Sequence, residues 1–348
     1  MRAKTADVGA IVLRPPRRID VVLAWCRQRP REVTATALIG LTALAGLAPV
    51  PATSASASPS IEGVAAASER AQDPAVVVGE RLYALPPLYR PAGGPVPVGK
   101  GMWLHKLDRA ENGDVGRIVN QAKSAGLSHL YVRLGSSRSG FYARGDLDRL
   151  LPAAHAAGLK IVGWDFVYLD NPSDDAARAR QEIGYATAAG DRIDAFSADI
   201  ETRSEGTRLV PGAVSTFGAM LRQFVGPGYP LIATVPRPTP KRWFPYNELT
   251  SFDAIAPMVY WGNRDPAADV AGAMAALAPF EKPVMPVGQA YDMAQDGAPA
   301  SAHGAPSKAA VERFIRSASD HGAKGLSFWV WDTATPDQWA AITAARLS

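Results

Sequence analysis

Cysteine is almost absent. The 348-residue chain has one, Cys26, inside a basic N-terminal stretch, so the body of the protein has no disulfide to staple it and no thiol chemistry. Histidine is scarce too: the five, at positions 105, 129, 155, 303 and 321, show none of the spacings that gather a metal. No metal and no cofactor are therefore expected. Charge of one sign is also missing from the body. Residues 1–57 hold eight of the 37 Lys/Arg and three of the 33 Asp/Glu, which leaves 29 basic against 30 acidic residues beyond them. The formal net charge of +4 thus belongs to the N-terminus, and nothing electrostatic argues for a nucleic-acid partner. A long apolar run is lacking as well, since residues 35–50 fall short of the roughly 20 that cross a bilayer.

That short run has a different reading. Arg27, Arg29 and Arg31 precede it, and small residues follow it to Ala55-Ser56-Ala57, the layout of a secretory signal peptide. The expectation is a bacterial protein exported to the extracellular space, cleaved near Ala57, and left without a stable membrane anchor. Residues 58–98 are rich in Ala, Pro and Ser and read as a linker with a short ordered piece against the domain that follows.

What is present from Gly99 to the end is a repeated alternation. Eight short β-rich runs begin at Met102, His129, Lys160, Ala195, Leu231, Ala254, Val284 and Gly325. Between them lie helical patterns such as NGDVGRIVNQAKSAG and SKAAVERFIRSASDHG, with Gly126, Gly158 and Gly325 as expected left-handed stops. Eight strand–helix units in about 250 residues match an α/β fold of the (β/α)8 TIM-barrel type, spanning 99–348. A doubly wound sheet is the runner-up. The link PRPTPKRWFPYNELTSFD has the poorest helical pattern, and YDMAQDGAPASAHGAP is a long loop suited to lining a site.

In such a barrel the chemistry sits at the strand C-terminal ends. The fourth run, FSADIET, carries Asp199 and Glu201 two residues apart, hence on one face, with Phe196, Ala198 and Ile200 on the other. If the apolar set packs on the helices, both acids point into the barrel mouth. Ion pairing with Arg133 or Arg203 is the bland alternative. A neighbouring carboxylate raises the pKa of a general acid by like-charge repulsion, which suits acid catalysis near neutral pH. Cα atoms at i and i+2 of a strand are roughly 6.5–7 Å apart. Carboxylates about 5–5.5 Å apart serve retention and about 6.5–9.5 Å inversion, so the spacing leaves the stereochemistry open.

The same strand ends carry aromatics, namely Trp103, Tyr131, Trp164, Tyr168, Tyr260, Trp261, Trp329 and Trp331, with Trp329 and Trp331 expected to point together. A ring-lined cleft beside two acids suits a glycan, although alternation must turn some of these rings toward the helices. Further candidates for substrate contact are His105 and Lys106, Arg133, Asp165, Gln289 and Tyr291. Asp292 reads as a turn residue and Asp194 as a strand-start cap. GPVPVGKG has the G-x-x-x-x-G-K spacing of a phosphate loop but places Gly101 where Ser or Thr is needed, and it precedes a strand.

DAFSADIE, residues 194–201, resembles the strand 4 signature D-x-x-D-x-D-x-E of the family 18 (chitinase-like) glycoside hydrolases, with Ser197 replacing the middle Asp. MVYW, residues 258–261, is similar to their strand 6 M-x-Y-D, and GLSFW, residues 325–329, to their strand 8 run ending in the Trp under the sugar. Strand 3 lacks their S-x-G-G and has Val162-Gly163-Trp164-Asp165, and Trp261 stands for the Asp after the Tyr, so the resemblance implies a divergent branch. It implies a glycoside hydrolase with Glu201 as general acid/base, Asp199 orienting a substrate acetamido group, and Tyr260 bonding that group's carbonyl. The partner it implies is a polysaccharide or oligosaccharide with N-acetylhexosamine units, as in peptidoglycan or chitin, acted on by a monomer. Trp103, His105, Arg133, Trp164, Asp165, Trp261, Gln289, Tyr291 and Trp329 would bind it. The alternatives are a glycan-binding barrel without turnover and, ranked last, a hydrolase or lyase of a non-sugar ester or phosphate.

Overall fold

The computed structural model describes residues 77–78, 81–82 and 94–347. Contacts divide the chain into Met1–Asp73 and Pro74–Ser348. The expected leader and most of the expected linker lie outside the described residues. Within the linker, Val77–Val78 and Arg81–Leu82 pair as a minimal antiparallel hairpin.

The eight β-rich runs pair in parallel and in register. They are β1 (Gly99–Leu104), β2 (His129–Ser136), β3 (Lys160–Phe166), β4 (Ala195–Asp199), β5 (Leu231–Pro236), β6 (Ala254–Val259), β7 (Val287–Gln289) and β8 (Gly325–Trp329). Each bonds its sequence neighbour, and β1 bonds both β8 and β2, so the sheet closes into the expected (β/α)8 barrel. A two-residue strand, Gly140–Phe141, folds back on the end of β2. The seventh strand is shorter than its apolar run because Pro283 and Pro286 lack amide donors, leaving only an isolated Ile255–Val284 bridge ahead of β7.

Among the described residues, seven α-helices surround the barrel: α1 (Val115–Ser124), α2 (Arg144–Ala156), α3 (Pro172–Gly184), α4 (Ala213–Val225), α5 (Pro266–Leu277), α6 (Lys308–Asp320) and α7 (Pro336–Ala344). Their starts follow local chemistry. Asp114, Asn171, Asp265, Ser307 and Thr335 accept hydrogen bonds from first-turn amides, and Pro172, Pro266 and Pro336 fill first positions that need no donor. In the proline-rich link after β5 only a 3-10 helix forms, Tyr246–Ser251. Gly126 and Gly158 take the expected left-handed conformation after α1 and α2, but the stop after α6 is Gly322 (φ 85°); Gly325 is a strand residue.

Two apolar cores result from strand alternation. The outer one lies between sheet and helices. The inner one fills the barrel with Trp103, Tyr131, Val162, Trp164, Ala195, Ile232, Ala254, Ala256 and Val287, and Val96, just ahead of β1, packs against it. Gly101 makes room inside for His129, since a Cβ there would lie 2.2 Å from the His129 Nε2 atom.

Candidate active site

β4 ends at Asp199, and Ile200 extends it by one more hydrogen bond, from its amide to the Thr234 carbonyl (2.9 Å). Phe196, Ala198 and Ile200 are buried in the outer core, so Ser197, Asp199 and Glu201 face the interior and the mouth. Ser197 is fully buried and bonded to Thr234 of β5 (2.8 Å). Asp199 above it is 7% exposed, and its Oδ1 has no hydrogen-bond partner. Glu201 is half-buried.

Burial dominates the electrostatics of this pair. It pushes Asp199 up to about 7, against the pull of the Arg133 guanidinium and with a push from Asp165 and Glu205. Glu201 is raised well above the usual carboxylate range, first by burial and then by the negative charge of Asp199, while the Thr202 amide and Arg242 oppose the shift. Both carboxyls thus hold their protons to higher pH than exposed acids do, Glu201 with the help of the Asp199 charge. Tyr260, just beyond β6, has its hydroxyl pKa raised by burial, then by Tyr291, Glu201 and Asp199, which places it in the field of both acids. The structure thus brings together Asp199, Glu201 and Tyr260.

The opposite wall of the mouth is aromatic and cationic. Trp103 stacks flat on Tyr131 (4.2 Å between centroids) and donates its indole N–H to Ser327 (2.8 Å). Trp164 and Trp329 meet Trp103 edge-on at 5.2 and 5.7 Å and each other at 5.6 Å. Trp103 and Trp164 are buried and support Trp329, which is half-exposed. The Arg133 guanidinium lies 5.0 Å over Trp164 and is hydrogen-bonded to His105. Burial, then Arg133, Lys106 and Arg109, lower His105 to about 4, so it is a neutral acceptor for Arg133.

Other sequence candidates lie elsewhere. Asp165 is on the outer face of β3, buried and ion-paired with Arg178 of α3 (2.6 Å), because the inward position of that pair belongs to Trp164. Trp261 leaves β6 on the helix side and stacks on Phe314 of α6 (5.4 Å). Trp331 does not point with Trp329: β8 ends at Trp329, and a 3-10 turn, Trp331–Thr333, directs Trp331 outward against Trp339. Gln289 is fully buried and braces the loops, accepting from the Gly262 amide (2.9 Å) and donating to the Tyr291 carbonyl (3.0 Å). Tyr291, by contrast, stays with the site: it meets Tyr260 edge-on (5.4 Å), and the charge of Glu201 reaches its hydroxyl. Asp292 caps a 3-10 turn, and Asp194 sits at the far end of the barrel, bound by His155, Lys160 and the Ile161 amide.

The structure also brings the charges of Glu205 and Arg242 to bear on Glu201 and sets Arg203 over Trp243 in the neighbouring loops, none of which the sequence singled out as substrate contacts. The recurrence of charge in DIETRSE and the tryptophan among prolines in PTPKRWFP were the only available signals.

No protein-family model matches the chain, and no curated protein matches it in sequence. Solved structures do. The fold is similar to an endo-1,4-beta-mannanase from Rhizomucor miehei (TM-score 0.53, 11% identity, 71% of this chain and 93% of that one). It is similar to the spore cortex-lytic enzyme of Bacillus cereus (TM-score 0.51, 12% identity, 70% of this chain and 73% of that one). A chitinase from Chromobacterium violaceum also aligns (TM-score 0.50, 13% identity, 72% of this chain and all of that one). At such identities the likeness establishes the barrel architecture and leaves the chemistry to the site.

Proposed function

We propose that the protein is a glycoside hydrolase acting on an extracellular glycan with N-acetylhexosamine units, such as peptidoglycan or a chitin-like polymer. The observation that carries this is the pair at the end of β4: a buried Asp199 and a Glu201 whose pKa is raised by burial and by Asp199, at the mouth of a barrel. The fold is one that mannanase, chitinase and cortex-lytic enzymes share.

In this reading Glu201 gives its proton to the glycosidic oxygen as the bond to the anomeric carbon breaks. The substrate's acetamido oxygen closes on that carbon, Asp199 accepts the acetamido N–H through its unpartnered oxygen, and Tyr260 donates to the carbonyl. Water then attacks the anomeric carbon, losing its proton to the Glu201 carboxylate, as the bond to the acetamido oxygen breaks and the acetamido group is restored. Trp329, backed by Trp103 and Trp164, supplies the apolar surface for the ring. Export with cleavage near Ala57 and a monomeric state complete the proposal.

A second reading keeps the cleft and drops turnover. It is favoured by Ser197, which is bonded to Thr234 and puts a neutral hydroxyl beneath Asp199. Reducing-end release from chitin, peptidoglycan and galactomannan, wild type beside Glu201→Gln, decides. Release lost in the variant supports hydrolysis; binding without release by the wild type overturns it in favour of a lectin-like barrel.

A further inference from the structure

Trp243 is 58% exposed, the largest side chain so exposed among the described residues. It lies in the loop after β5, where Thr239 and Arg242 form a bridge that shapes a tight turn. The Arg203 guanidinium covers the ring at 4.8 Å from its centroid, and that guanidinium is itself anchored, its Nε donating to the Leu209 carbonyl (3.1 Å). Val210, next to Leu209, is 43% exposed. An indole on a tethered cation holds its orientation and turns its uncovered face to solvent.

The place of this ring gives it a use. Arg203 is two residues past Glu201, and the adjacent Arg242 is close enough for its charge to act on Glu201. The wall with Trp329 is built on β1, β3 and β8; the Trp243 ledge is built on the loops after β4 and β5. Both loops follow the C-terminal ends of their strands, so a glycan entering the mouth at Glu201 would pass a rim that carries Trp243.

We propose that Trp243 is a stacking platform for a further ring of the glycan, outside the unit being cleaved, so that the protein takes a chain of several sugars and not a single terminal residue. This rests on the glycoside hydrolase reading for its substrate class but not for its binding test. Indole faces contact the C–H faces of sugars, and replacing a stacked aromatic is expected to weaken binding about tenfold, by analogy with base stacking.

The test uses Trp243→Ala and Trp243→Phe. With glycol chitin and 4-methylumbelliferyl diacetylchitobioside as substrates, the ratio of kcat/KM on the polymer to that on the short reporter is expected to fall at least tenfold in the alanine variant and to recover largely with Phe. An unchanged ratio overturns the platform. If the wild type cleaves neither substrate, the hydrolase reading has failed, and native electrophoresis through gels containing glycol chitin, soluble peptidoglycan or galactomannan still decides. Retardation of the wild type that Trp243→Ala loses supports the platform; equal retardation, or none in any gel, overturns it. Thermal melts of both variants exclude misfolding as the cause.

Discussion

The charge of Asp199 acts directly on Glu201, and the one residue between them, Ile200, is turned the other way into the helix-facing core. The two carboxyls are held together at the barrel mouth by strand alternation, and burial makes each reluctant to ionise. Removing Asp199 therefore changes Glu201.

Glu201→Gln is expected to lower kcat by about 10²–10⁴-fold, the usual worth of a positioned general acid, with little change in glycan binding. Reducing-end release together with calorimetric binding on the active polysaccharide checks both halves.

The pH profile follows from the same pair. The raised pKa of Glu201 extends its range as a proton donor upward, so kcat/KM should hold to higher pH than an ordinary glutamate allows and fall on the alkaline side as Glu201 ionises. Asp199→Asn removes the second cause of that shift, so in its residual activity the alkaline limb should move to lower pH. A limb that stays in place would separate the two groups electrically.

Between β2 and α3 lies an acid outside the site. Glu182 is fully buried, neither carboxyl oxygen has a hydrogen-bond partner, and burial followed by the charge of Asp165 raises its pKa well above the ordinary value, against Arg178 and Arg144. With a raised folded pKa, its favourable contribution is complete below the ordinary glutamate range, about 4.3, and is lost as pH rises through the folded value. Glu182→Gln should thus stabilise the protein at pH 8, by about 1–3 kcal/mol, and have little effect at pH 4. Melts at the two pH values read this directly.

Trp261→Ala separates core from cleft. The ring packs on Phe314 and is 1% exposed, so its loss should cost about 3–5 kcal/mol in denaturant unfolding while leaving KM for glycan near the wild-type value. A raised KM with unchanged stability would put it in the cleft after all.

Gly101→Ala should destabilise by about 1–3 kcal/mol, because its methyl would press on the buried His129 ring. His129→Ala in the same chain should recover part of that loss, a non-additivity that a double-mutant cycle measures.

Much of this architecture was legible in the residues themselves. Apolar runs separated by capped helical patterns specify a strand–helix repeat, and eight of them leave few options other than a closed barrel, because each strand's apolar face needs helices outside and neighbours inside. The same alternation put Asp199 and Glu201 on one face, a purely local consequence of the two-residue period. It misplaced Asp165, Trp261 and Trp331, because local pattern does not reveal which of two faces of a doubly buried strand looks inward, nor where a strand stops. In β3, Trp164 took the interior and left Asp165 to Arg178; in β8, a 3-10 turn cancelled the alternation after Trp329. The charges of Glu205 and Arg242 on Glu201, and the seat of Trp243 on Arg203, came from loops whose paths depend on their neighbours. The sequence by itself determined the barrel and the carboxylate pair, since both follow from short-range periodicity. The tertiary structure decided which aromatics wall the mouth and which cations and rings surround the acid, since those contacts join residues far apart in the chain.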